Sequence, residues 1–108
     1  MNYFFYDSES GEGIDLSESA EGELEEVLVR WHSIEGQPGS LLGVVCTNGT
    51  VVQFMWDDAC TVTLDLPLRE RHGSLQKESS FEVCEETLRL AFRGMDPQEL
   101  LNLSFVPW

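Results

Sequence analysis

The stretch that decides the fold is residues 41–66, LLGVVCTNGTVVQFMWDDACTVTLDL. Leu41–Thr47 and Thr50–Asp57 are β-rich runs, and Asn48-Gly49 stands between them. An Asn-Gly pair in that setting signals a hairpin, because both residues tolerate positive φ in a type I′ turn. The next run, Cys60 to Leu66, alternates strictly. Cys60, Val62, Leu64 and Leu66 fall on one side and Thr61, Thr63 and Asp65 on the other. One face of the sheet is therefore buried and the other wet. Pro67 lacks an N–H and is confined to a strand end or edge.

Working outward, Asn2–Tyr6 reads as a short aromatic strand that ends in an acidic turn over residues 7–13. Leu24, Val27, Leu28 and Trp31 recur at i, i+3, i+4 and i+7, one stripe of an amphipathic helix. Glu18, Glu21, Glu23, Glu25 and Glu26 crowd its beginning, where negative charge complements the helix dipole. Arg30 and His32 lie near its end, and Gly36 with Pro38 stop it. On the other side, residues 69–78 (RERHGSLQKE) read as a polar loop and Ser80–Val83 as a short strand. Leu88, Ala91, Phe92 and Met95 form a second helical stripe, with Gly94 where a C-terminal cap belongs. Asp96-Pro97 then turns the chain into Glu99–Leu103 and an apolar tail, Phe105–Trp108. The expected class is α+β: an antiparallel sheet of four to five strands with two helices packed on one face, in a single domain over residues 1–108.

Six Lys and Arg stand against twenty Asp and Glu, a net charge of −14. Direct binding to nucleic acid needs clustered cations, so that class is excluded, and anionic membrane surfaces are disfavoured. The balance fits a basic protein partner. Cys46, Cys60 and Cys84 lie in or beside apolar runs, without CxxC or zinc-finger spacing, and read as reduced, inert thiols. The opening MNYFFYDSESGEG has no basic segment of the kind a signal peptide carries. Residues 36–56 are interrupted by Gln37, Pro38, Asn48, Gly49 and Gln53 and do not read as a membrane span. The expectation is a cytoplasmic protein.

Catalytic signatures are missing. His32 and His72 have no metal-ligand spacing, there is no GxSxG elbow, and Gly11-Glu12-Gly13 is not a phosphate-cradling loop. Adjacent strand residues point to opposite faces, so Asp57-Asp58 reads as a hairpin-end turn rather than a metal site. No enzyme, cofactor or metal is expected.

The acids are more informative. Residues 7–26 carry nine carboxylates with no intervening cation. One reading is a solvated surface kept charged for solubility. The other is that their mutual repulsion is relieved, and encounter steered, by a basic partner. On that second reading the candidate interface is Glu12, Asp15, Glu18, Glu21, Glu23, Glu25 and Glu26, together with the hairpin end at Trp56, Asp57 and Asp58. Trp31 lies on the apolar helix stripe and reads as core. Trp56 follows Phe54 in period two and reads as core or sheet rim; flanked by two acids, it also has the composition of an aromatic anchor.

The segment from Cys84-Glu85-Glu86 through Leu88 and Phe92, followed by Gly94, Pro97 and Leu100, resembles the closing motif of bacterial polymorphic-toxin immunity proteins. It is most similar to the family that neutralises secreted nucleic-acid deaminase toxins. That family closes on Ser-x-Glu-Glu-Ala-Leu, an aromatic, Gly-x-x-Pro-x-x-Leu and a Trp. In this chain Cys84 lies near the usual serine, Trp108 comes later than the family's Trp, and the overlap covers residues 41–108. The resemblance implies inhibition by occlusion, in the cytoplasm, as a monomer forming a 1:1 heterodimer with a toxin domain whose active-site cleft is basic. The rival readings are an acidic nucleic-acid mimic that blocks a defence nuclease, and a secretion chaperone or adaptor.

Overall fold

Strict alternation builds the middle of the sheet. In the computed structural model, which describes residues 1–100 and 102–108, β4 (Leu41–Val45), β5 (Val51–Trp56) and β6 (Val62–Leu68) follow β1 (Asn2–Tyr6) as one antiparallel series. Val52, Phe54 and Trp56 point to the same side as Val62, Leu64 and Leu66, and all are buried. Helix α1 (Leu24–Ser33) and helix α2 (Phe81–Phe92) cover that side, burying Val27, Trp31, Cys84, Leu88 and Ala91 against it. Apolar area removed from water on this one face is the main stabilising term.

The sheet has eight strands rather than the expected four to five. Two two-residue strands, β2 (Gly13–Ile14) and β3 (Ala20–Glu21), pair in turn with the outer side of β1. A 3-10 turn at Leu16–Glu18 separates them. The expected polar loop is a 3-10 turn, Arg69–Arg71, followed by β7 (Gly73–Ser79). The tail forms β8 (Ser104–Pro107) on the far edge, where Pro107 needs no N–H for a ladder. β7 escaped the pattern because it carries little apolar alternation. It is held instead by ladders on both sides, over seven pairs to β6 and four to β8.

Ser80–Val83 is not a strand. Ser80 is the N-cap of α2, and its hydroxyl accepts the Val83 N–H at 3.2 Å. Helix α2 ends at the expected Gly94 cap, and a short helix, α3 (Pro97–Leu100), follows. Residue 101, inside the expected Glu99–Leu103 segment, lies outside the described residues. Cys60 does not share the inward side of β6; it is exposed in the turn that precedes the strand.

The β4–β5 hairpin exists, but its turn is not type I′. Gly49 has φ +87° while Asn48 stays at negative φ. The Gly49 N–H donates to the Cys46 carbonyl at 2.9 Å, and the Cys46 N–H donates to the Thr50 carbonyl at 2.8 Å. This is a three-residue loop, a type I turn closed by a left-handed glycine. A Cβ on Gly49 would meet nothing within 4 Å, so only backbone strain opposes substitution. Gly49→Val is expected to lower stability by about 1–3 kcal/mol. An unchanged denaturant midpoint would show that this φ is not required.

Candidate functional site

The acidic segment pairs with the edge of the sheet at two places, while Asp15, Leu16 and Ser17 between them line a cavity with Val51 of β5 and Pro67 of β6. Its two contacts with β1 fix Gly13–Ile14 and Ala20–Glu21, and the acids between and beside them face solvent. Glu12 lies 3.8 Å from Arg30, whose guanidinium also sits over the Phe5 ring, 4.3 Å from its centroid. Glu21 pairs with the Met1 ammonium at 2.7 Å. Among the described residues no cation lies within 4.0 Å of Asp15, Glu18, Glu23, Glu25 or Glu26. A short, interrupted, charged strand is a poor template for pairing with another chain's backbone. The edge therefore offers charge rather than backbone.

The hairpin end does not form the anchor that the sequence suggested. Trp56 is only 3% exposed and stacks on Trp31, with ring centroids 5.6 Å apart. Buried under the helices, it presents no face to a partner, so it leaves the candidate interface. Trp56→Ala would thus report on folding rather than on binding. Asp58 closes its own turn: its carboxylate accepts the N–H groups of Cys60 and Thr61, each at 2.7 Å, which hold its pKa below the usual carboxylate range. Asp57 alone turns toward the open side of the sheet, where it accepts the Thr63 hydroxyl at 2.6 Å.

That open side is the feature sequence reasoning passed over. Register aligns Phe4, Gly43, Gln53, Asp65 and Gln76 in one cross-strand row, with Tyr6, Leu41, Met55, Thr63 and Glu78 in another. Both rows face away from the helices. Gly43 is needed here: a Cβ on it would lie 2.2 Å from the buried Phe4 ring. Asp65 is held between two amides, accepting from Gln53 Nε2 at 2.9 Å and Gln76 Nε2 at 2.7 Å. Trp108 lies at the far side, its indole N–H on the Ser74 hydroxyl at 3.0 Å.

Two adjoining cavities run over this face, of about 910 and 500 Å³. Leu16, Pro67 and Arg69 line both. Pro67 explains the larger one. The β5–β6 ladder runs from Trp56–Val62 to Gln53–Asp65 and stops before the proline, which has no N–H to continue it. The strands part there, and the gap opens between Val51 and Leu68. The signal in the sequence was the wet side of the alternating run, Thr63 and Asp65.

Elsewhere the polar groups are structural. His32 Nε2 and Glu85 bridge α1 to α2, and Arg89 reaches the same carboxylate at 3.2 Å. The hydrogen bond from His32, reinforced by Arg89, holds the Glu85 pKa below its ordinary value. Among the described residues no group of three His, Cys, Asp or Glu could hold a metal ion, and no helix is long and apolar enough to cross a membrane. Burial pushes the Cys84 thiol up to about 12 and raises Cys46 as well. Thiolate is the reactive form, so iodoacetamide at about pH 8 is expected to label the folded chain at Cys60 alone. Rapid labelling of Cys84 without denaturant would contradict its burial.

Fold and site together define an acidic α+β domain with an antiparallel sheet, helices on one face and a pocketed second face. No protein-family model matches the chain, and no match to it was found among curated proteins or solved structures.

Proposed function

We propose that this chain is an immunity-type inhibitor. It binds the active-site cleft of a secreted, nucleic-acid-targeting toxin domain, a deaminase or a nuclease, in the cytoplasm. The complex is a 1:1 heterodimer, and the chain itself performs no chemistry. The observation that carries this reading is the edge of nine carboxylates over residues 7–26, most without a cation beside them, in a chain of net charge −14. A cleft that accepts nucleic acid is lined with Lys and Arg, so such an edge is complementary to it and speeds encounter. The resemblance over residues 41–108 points the same way.

The test is co-expression with the product of the reading frame immediately upstream. Protection of cells from that product, with a stable 1:1 complex on size-exclusion chromatography, is the expected result. A neighbouring product that is harmless alone, or that kills regardless, overturns the reading. A free chain with a solution mass twice 12.2 kDa and no complex would favour the chaperone or adaptor class instead.

A further inference from the structure

We infer that the open face of the sheet seats an extended, arginine- or lysine-bearing segment of the partner. The segment's cation would meet Asp57 and Asp65, and the apolar residues two positions before and after it, which share its face in an extended chain, would rest on Met55 and Trp108. This rests on the proposed inhibitor reading and adds which surface grips. The acidic edge steers, and the open face holds.

Three observations support the occupant. Asp65 and Asp57 have no cation within 4.0 Å among the described residues, although both border the same cavity. A carboxylate offers about four lone-pair sites, and Asp65 uses two of them on Gln53 and Gln76. Those amides fix its orientation and leave room for a guanidinium, the strongest partner for a carboxylate. Apolar area lies beside this charge: Tyr6, Leu16, Met55, Val106 and Trp108 are all exposed, and register, period-two spacing or cavity lining puts each on this face. Exposed apolar groups on either side of preset carboxylates suit an extended segment with a basic residue flanked by apolar residues at i−2 and i+2. Arg69, which lines both cavities, repels cations and so biases the basic residue toward Asp57 and Asp65.

The probe is the five-residue peptide Val-Gly-Arg-Gly-Val, whose arginine and valines share one face when extended, titrated into the 15N-labelled chain. The expected shifts are in the side-chain amides of Gln53 and Gln76, the backbone of Met55 and Thr63, and the Trp108 indole. Asp65→Asn should weaken binding roughly tenfold, the loss of one charge-assisted contact. Because Asp65→Asn also alters the amide pair, Thr63→Lys serves as a second variant on the same half-exposed face and should abolish binding. The matching peptide Val-Gly-Glu-Gly-Val should not bind. Shifts confined to Glu12 and Glu23–Glu26, or no shifts at all, overturn the inference. The same resonances moving with protein concentration in the absence of peptide would identify a second copy as the occupant and overturn it too. The upstream toxin plays no part in this titration, so its outcome is separate from that of the co-expression test.

Discussion

Replacing Trp31 by alanine is expected to cost about 3–5 kcal/mol, the range for a large aromatic removed from a closed core. The indole is fully buried and touches aromatics on three sides. Its ring centroid lies 5.5 Å from Phe81 of α2, 5.6 Å from Trp56 and 5.4 Å from Phe54 of β5. Its N–H donates to the Phe81 carbonyl at 3.2 Å. One side chain on α1 thus ties the first helix to both the second helix and the sheet. Its removal leaves a cavity that three rigid rings cannot collapse to fill. At this chain length each kcal/mol shifts the melting temperature by roughly 4 °C, so a fall of roughly 12 °C or more is expected. Trp108→Ala is the control, because that indole is 67% exposed and packs at the rim. Equal melting shifts for the two variants would mean that the aromatic stack is not the centre of the core.

What the sequence made legible follows from which forces it encodes. Periodic apolar residues wrote out α1, β5 and β6 directly, since burial demands one side of each element. Trp31 was placed in the core by the same logic. The short strands Gly13–Ile14 and Ala20–Glu21 were not legible, because two residues carry no period. β7 was hidden for a different reason. Its residues Gln76, Lys77 and Glu78 read as loop, while the backbones of all three pair with β6 and that of Gln76 pairs with β8 as well. The edges of the sheet are thus built by backbone pairing that leaves little trace in composition. Ser80–Val83 was misread because Phe and Val suit strands, whereas the Ser80 cap and the stripe Cys84, Thr87, Leu88 and Ala91 decide for a helix.

The candidate site was half legible for a related reason. Charge density along residues 7–26 is visible in any sequence, and the structure leaves those acids on the surface. Trp56 beside two aspartates looked like an anchor because sequence gives neighbours without giving sides. Period two puts Trp56 with Phe54 under the helices and Asp57 on the opposite face. The open face itself is assembled from β1, β4, β5, β6, β7 and the tail, so no local window contains it. Only the register brings Gln53, Asp65 and Gln76 into one row.

Reversing Glu21, Glu23, Glu25 and Glu26 to lysine is expected to slow association with the toxin domain about 10- to 100-fold at low salt. Steered encounters can run near 10⁸–10⁹ M⁻¹s⁻¹, against about 10⁵–10⁶ for uncharged surfaces, and each reversal changes the local charge by two units. The four residues are suited to the test because none supports the core. Glu21 is exposed and pairs only with the Met1 ammonium, and the Glu23 side chain makes no cap hydrogen bond at α1. Glu25 and Glu26 point outward from the first helical turn. Lysines there oppose the helix dipole, at about 0.3–1 kcal/mol each, so the variant will melt earlier but should remain folded. The salt dependence carries the diagnosis. Wild-type association should fall steeply as salt shortens the Debye length from about 10 Å at 0.1 M to about 3 Å at 1 M, while the variant's should be nearly flat. The two rates should converge at high salt, with dissociation little changed, because the contacts proposed to hold the complex lie on the open face. A folded variant that associates at the wild-type rate at low salt would show that the acidic edge does not steer. A variant that associates normally but dissociates faster would place the edge inside the contact itself.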